Sequence, residues 1–395
     1  MTAEGDRSTW GRELAVIIVG HVCLHAALGG GRMAAPLLAL QQGMGTGAAG
    51  LLMALFALTQ VFVSIPMGRY ADRHGLRRPM TLCVASAMLG AGLAAIWPVY
   101  PVLCVSALLI GGAVGSATIT LQRHAGRMAS SPAQVRKVFS WLAIAPAISG
   151  LVGPVITGFM IDHAGFRAAF ATLAALPIVC WFMLRHATEI PNDAPPAGQR
   201  PPAWDLLREP RMRRLLIVNW FMSASWDLHG FMVPVLAHER GISASAIGMI
   251  LGAFAAASIL VRLLMTVLAS RLREWATVAG ALALAGTAFI LYPFSPSAWM
   301  MGACSAAIGL SMGATQPMIM SMLHAITPRH RQGEALAVRM VTVNLSSVSM
   351  PLLWGALTVV VGVPALFWAM GVIVVGGSTM AAGLRGHVHE DASGK

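Results

Sequence analysis

The residues best able to do chemistry in this chain lie inside long apolar stretches. His21, His25 and Arg32 are spaced i, i+4 and i+11, which on a helix gathers them within about 40° of one face. An imidazole exchanges a proton near neutral pH and a guanidinium holds a carboxylate or phosphate. This face therefore suits an organic anion, or a proton relay through His25. Of the acidic residues, Asp227 alone falls near the middle of an apolar stretch, between Trp226 and His229. An ionised group at that depth costs about 2.5–3.5 kcal/mol on insertion scales, so it is a functional candidate by default. Two blander readings stay open. Arg32 can snorkel outward from the outer third of its helix, and Asp227 can be half of a structural ion pair, for which Arg32 is a plausible partner.

Weaker candidates surround these. Asn219, Ser223 and Gly230 form a stripe that mirrors the His21 face in the second half of the chain, and Asp227 lies about 60° off its centre. Trp226 is a contact candidate on the same helix. Gly111, Gly115, Thr118 and Gln122 recur as Gly309, Gly313, Gln316 and Met320. Their small, then polar character suits a narrow waist opening to a polar half, or simple close packing; Gln122 and Gln316 are the substrate-contact candidates. Arg262 and Arg339 sit one to two turns inside their helices, where gate pairing and snorkelling are both open.

The elements that must position these groups follow from composition. The chain has 57% hydrophobic and 11% charged residues and a mean hydropathy of +0.71. Soluble domains carry about 25% charged residues, so most of this chain has no water to face. Stretches of the roughly 20 apolar residues that span a bilayer predict twelve helices at 13–40, 46–69, 79–97, 100–126, 134–161, 167–187, 213–237, 244–270, 275–293, 297–324, 332–359 and 363–384.

The net charge of +12 reports topology rather than a nucleic-acid partner. Of the 27 Lys and Arg, Arg167 and Arg240 alone fall in one set of loops, and Arg32, Arg262 and Arg339 fall within spans. The rest lie in the N-terminus, the alternate loops and the C-terminus, which by the positive-inside rule places both termini in the cytoplasm. Arg7 and Arg12 precede an apolar run too long for a signal-peptide core, so an uncleaved first span is expected. The five cysteines show no metal-ligand spacing and read as buried thiols.

The chain repeats at about half its length. At one constant offset Pro36 meets Pro234, Gly43 meets Gly241, Gly50 meets Gly248, Phe56 meets Phe254, Gly111 meets Gly309 and Gly115 meets Gly313. One residue out of that register, Pro154 meets Pro351, Gly165 meets Gly362 and Phe170 meets Phe367. Six spans per copy give the two copies the same orientation. Between them, Pro195, Pro196, Pro201, Pro202 and several arginines mark a linker, with 204–209 a short interfacial helix.

Residues 68–78 read Gly68-Arg69-Tyr70-Ala71-Asp72-Arg73-His74-Gly75-Leu76-Arg77-Arg78. This run resembles G-x-L-a-D-r-x-G-r-r, the loop signature between spans 2 and 3 of the major facilitator superfamily; Tyr70 and Leu76 depart from it. The resemblance implies that Gly68, Asp72, Arg73, Gly75, Arg77 and Arg78 close the cytoplasmic side. Asp72 would accept hydrogen bonds from the start of span 11 near 331–334, with Arg73, Arg77 and Arg127 around it. The second copy, at 270–274, has lost the glycine and aspartate. In span 5, Ser149-Gly150-Leu151-Val152-Gly153-Pro154-Val155-Ile156-Thr157-Gly158 is similar to the g-x-x-x-G-P-x-x-G-G stretch of the exporter branches. Ser149 and Thr157 replace glycines there, and Gly153 and Pro154 are the gating candidates. The arginine that many proton-driven members carry midway along span 4 is missing from 103–120.

The expected fold is thus an all-α membrane protein of twelve transmembrane helices in two parallel-repeat six-helix bundles. The N-terminal bundle is 1–188, the linker 189–212 and the C-terminal bundle 213–395. The implied function is secondary active transport of a small organic molecule across the inner membrane by alternating access. Proton-coupled export is favoured on the span 5 stretch and Asp227, with His25 as relay; proton-coupled uptake of an organic anion is the alternative, on Arg32, His21 and His25. A non-transporting receptor of the same fold would be expected to add a signalling domain or long tail. No H-E-x-x-H, G-x-S-x-G or P-loop supports an enzyme or ATP drive. Expected partners are the substrate, protons and membrane lipid, with no nucleic acid, metal or cofactor, and a monomeric state.

Overall fold

The computed structural model describes residues 3–128, 132–185, 189, 203–268, 274–327 and 332–382, and among these there is no strand. The helices run α1 (Ala3–Gln41), α2 (Thr46–His74), α3 (Arg77–Ile96), α4 (Tyr100–Met128), α5 (Pro132–Leu184), α6 (Pro210–Glu239), α7 (Ala244–Leu268), α8 (Glu274–Leu291), α9 (Ala298–Ile326), α10 (Gln332–Val361) and α11 (Val363–Ala382). Gly165, at φ 80°, breaks α5 into two helices, α5a before it and α5b after it. Counting them separately gives the twelve spans expected. A short 3-10 turn, Ala203–Arg208, lies where an interfacial helix was expected.

An all-helical chain is the answer to a solvent that cannot bond a backbone N–H or C=O, since a helix satisfies these groups within itself. Eight stretches among the described residues are long and apolar enough to cross a membrane, one of them, Ile144–Leu184, covering both parts of α5. Large apolar side chains stay uncovered, Phe62 at 70%, Val360 at 81% and Trp299 at 90% of their surface. Contiguous exposure of that kind is a lipid-facing surface. The protein is a multi-pass membrane protein.

Two of the expected boundaries move. The first helix begins near residue 3 rather than 13, because hydropathy marks the apolar part of a helix and not its polar run-in. The signature at 68–78, expected as a loop, is helical through His74. Only Gly75 and Leu76 separate α2 from α3, with Gly75 at φ 75° donating its N–H to Ala71 O. That left-handed turn explains why glycine stands there.

The repeat is visible as geometry. Gly43 and Gly241 both turn with positive φ after their helices, as do Gly165 and Gly362. A Cβ on Gly111 would run into the backbone carbonyl of Phe56, and one on Gly309 into that of Phe254. Glycine mates therefore meet phenylalanine mates, and α4 seats on α2 as α9 seats on α7. Gly115 and Gly313 extend each seam, against Gln60 and its repeat mate Ser258. Close packing accounts for these glycines.

The described contacts divide the chain into two compact units, Met1–Ala197 with Ile242–Gly252, and Gly198–Gly241 with Ala253–Lys395. The first turns of α7 thus pack with the first unit. Gly111→Val and Gly309→Val should each lower the thermal midpoint of the detergent-purified protein, at a cost of about 1–3 kcal/mol for overpacking. Gly302→Ala, where an added Cβ meets nothing within 4 Å, should leave it unchanged. Equal midpoints for all three would show that the seams tolerate bulk.

Candidate functional site

In the first unit α1 and α5a press together along small residues. A Cβ on Gly153 would lie 2.5 Å from Ala26 O and 3.1 Å from Gly30 N, so the expected seam at Gly153 and Pro154 is backbone against backbone. Ser149, standing where a glycine was expected, reaches Val22 O at 3.0 Å and Ala145 O at 2.7 Å. Its hydroxyl thus bridges the two helices. On its other side α5a meets the start of α7. Gly158 faces Ala244 O and Gly248 faces Pro154 O, both too close for a side chain.

The histidine face forms as its spacing predicted. The rings of His21 and His25 lie 4.5 Å apart, and His21 Nε2 is 3.3 Å from Thr118 Oγ1 of α4. His21 is buried. Both Nδ1 atoms are enclosed with no hydrogen-bond partner among the described residues. Arg32 continues the face, half-buried, and Gln122 of α4 is exposed.

The signature residues gather around a partner the sequence did not single out. Arg123 Nε, on α4, donates to Asp72 Oδ1 at 2.5 Å, and its Nη2 donates to Asp72 O at 3.3 Å. Arg127, also expected near Asp72, lies one turn further along α4. The expected partner at 331–334 begins outside the described residues. Glu189 was also missed. Its Oε1 accepts the N–H of Arg77 at 2.9 Å, capping the start of α3, and a Cβ on Gly75 would lie 3.2 Å from it. Arg73, Arg77 and Arg78 are exposed, and Gly68 faces Ile119 at 3.8 Å with room to spare.

In the second unit polar contacts link α6, α7, α9 and α10. Asp227 is 2% exposed. Its Oδ2 accepts from Ser346 Oγ at 2.9 Å and its Oδ1 from Ser347 Oγ at 3.2 Å. The offset from the Asn219 stripe is real, and it turns the carboxylate toward α10. Arg32, the ion-pair partner considered for it, belongs to the first unit; the Ser346 and Ser347 hydroxyls are among the partners of Asp227. Asn219 Oδ1 accepts from Arg339 Nε at 2.9 Å, and Gln316 Oε1 accepts from Arg262 Nη2 at 2.5 Å. Trp226 is exposed and packs edge-on against Phe254 at 4.8 Å.

His229 takes part in a further buried chain. Its Nε2 lies 2.9 Å from Ser305 Oγ, which lies 2.8 Å from Tyr292 Oη. The ring stacks on Phe254 at 4.2 Å. A histidine of α6, a serine of α9 and a tyrosine in the short turn after α8 carry no local signal of such a chain.

What both units offer is polar groups enclosed by lipid-facing helices, in one arrangement made twice. Residues 17–224 and, separately, 215–394 match the sequence model of the Major Facilitator Superfamily. The chain belongs to that superfamily. Its relatives include the class G tetracycline resistance protein of Vibrio anguillarum, 26% identical over 78% of this chain and 80% of that one. The class D tetracycline resistance protein of Salmonella ordonez is 24% identical over 77% and 78%. A solved POT family transporter, in complex with a thioalcohol-conjugated peptide, superposes with a TM-score of 0.80 at 12% identity, covering 96% of this chain and 97% of that one. The protein is accordingly a Major Facilitator Superfamily transporter with a small-molecule substrate.

One acid missed by sequence reasoning, because it sits at the end of a span, is Asp162 of α5a. Its carboxylate accepts the N–H groups of Ala244 at 3.1 Å and Ser245 at 2.8 Å, capping α7. Asp162→Ala removes both acceptors, and a lost cap costs about 1 kcal/mol. Hydrogen exchange of the first turn of α7 should quicken in this variant while that of α9 stays constant. Unchanged protection at 244–247 would mean that the glycine contacts hold α7 without the cap.

Proposed function

We propose that this protein exports a small, largely apolar organic molecule across the inner membrane by alternating access, in exchange for protons. Both termini would be cytoplasmic, and the protein would act as a monomer. The observation that carries the coupling is Asp227, a carboxylate buried mid-helix and held by two serine hydroxyls. A hydroxyl donates to a carboxylate and can equally accept from a carboxylic acid. Ser346 and Ser347 can therefore keep their bonds to Asp227 in either protonation state by rotating a hydroxyl. His25, in the first unit, is the proposed relay.

Outward direction is supported by the small-residue seam at Gly153 and Pro154 and by likeness to tetracycline resistance proteins. A membrane transporter that confers resistance does so by lowering the internal concentration of a drug. Arg32, His21, Gln122, Asn219, Trp226 and Gln316 are the proposed substrate contacts. Of these Gln122, Trp226 and Gln316 are exposed. The proposed inner gate is Gly68 to Arg78, with Asp72 held by Arg123 while it is formed. Uptake of an organic anion is the second reading, favoured by Arg32 on the same face as two imidazoles.

A strain lacking the protein should accumulate more of its substrate, found by screening labelled drugs and metabolites, and less if the protein is an importer. In inside-out vesicles, Asp227→Asn should abolish accumulation driven by a pH gradient and leave substrate counterflow within about twofold of wild type. Retained gradient-driven accumulation in that variant would remove Asp227 from the coupling.

A further inference from the structure

A cavity of about 210 Å³ opens in the first unit between α3 and α5b, lined by Arg77, Met80, Thr81, Trp181, Leu184 and Arg185. It lies at one end of both helices. Arg77 begins α3 and Arg185 directly follows the last residue of α5b. Away from it along the same helices, Leu82, Leu89 and Ile96 of α3 and Ile178 and Phe182 of α5b are exposed. Two rows of uncovered apolar side chains thus lead into a mouth with two guanidiniums. Trp181, itself exposed, sits at the junction, the level at which tryptophan partitions in a bilayer.

The side chains are arranged to receive an oxyanion. The Arg185 guanidinium carbon lies 4.6 Å from the ring centre of Phe182 and 5.6 Å from that of Trp181. A guanidinium can lie against aromatic rings and still offer its in-plane N–H donors, which bind phosphate oxygens in pairs. Glu189, bonded to the Arg77 N–H, contributes one negative charge against the two arginines, and Arg78 is exposed beside them. The mouth therefore stays net positive.

We propose that this cavity binds the phosphodiester headgroup of an anionic phospholipid, with Arg77 and Arg185 donating to the phosphate and the acyl chains lying along the rows on α3 and α5b. A free phosphate would satisfy the guanidiniums and make no use of the apolar rows. A zwitterionic lipid would bring its own cation to a positive mouth. The site stands whatever molecule is transported.

The test is native mass spectrometry of the purified full chain in neutral detergent, titrated with phosphatidylglycerol or with phosphatidylcholine of the same acyl chains. Phosphatidylglycerol should bind more tightly, and Arg77→Gln and Arg185→Gln should each weaken it about fivefold. Phosphatidylcholine binding should not respond to either change, nor phosphatidylglycerol binding to Arg213→Gln, an exposed arginine of the other unit. Should Arg77→Gln fold poorly, Arg185→Gln decides alone, because its exposed side chain follows the helix. Wild-type affinity in Arg185→Gln, or equal binding of the two lipids, would overturn the proposal. Displacement of phosphatidylglycerol by millimolar inorganic phosphate would make this a free-phosphate site and overturn it as well.

Discussion

Hydrocarbon offers no hydrogen bonds, and the structure is organised around that lack. A helix settles its own backbone, but it leaves nothing except dispersion to hold one helix to the next, since lipid tails are as apolar as leucine. Dispersion falls away within an ångström of contact, so helices hold each other where backbones can touch. The glycines at 111, 153, 158, 248 and 309 are those places, each facing a carbonyl of the neighbouring helix. A methyl group at any of them would part the helices it joins.

The same lack decides which polar groups can be tolerated. Asp227 turns to two hydroxyls, Asn219 to Arg339, Gln316 to Arg262 and His229 to Ser305. For Asp227, Asn219 and His229, which are buried, the pairing removes part of a burial cost of a few kcal/mol. The partners differ in what they permit. A guanidinium can only donate to the amide oxygen it holds, whereas a hydroxyl can stay bonded to a carboxyl group in either protonation state. At the Asp72–Arg123 pair the balance is another one. Asp72 has 47% of its side chain exposed, so the pair contributes at most about 1 kcal/mol to stability and can open and close at little cost.

Much of the fold was legible because its signals are local. Apolar length marked the spans, and the turn glycines at 43, 165, 241 and 362 stood at matching places in the two copies because a positive φ admits little else. His21 and His25 met because one helix carries both. The partners were not legible. Arg123 lies 51 residues from Asp72, and Ser346 lies 119 from Asp227. A serine in a span is a weak signal besides, since many such hydroxyls simply bond the carbonyl one turn back, as Ser349 does to Leu345. Asp162 and Glu189 escaped notice for a different reason. Hydropathy treats an acid at a span end as ordinary solvent-facing charge, and only the packed neighbour reveals it as a cap.

The central claim is that substrate movement and proton movement share one carboxylate, and proton flux tests it directly. Purified protein in liposomes enclosing a pH-sensitive dye, with the membrane potential clamped, would be given substrate on one side only. The account predicts a lumenal pH change in the direction of exchange that begins with substrate addition and is lost in Asp227→Asn, while labelled substrate still equilibrates. Substrate that crosses with no pH change in the wild type, or a pH change that survives in Asp227→Asn, would contradict it.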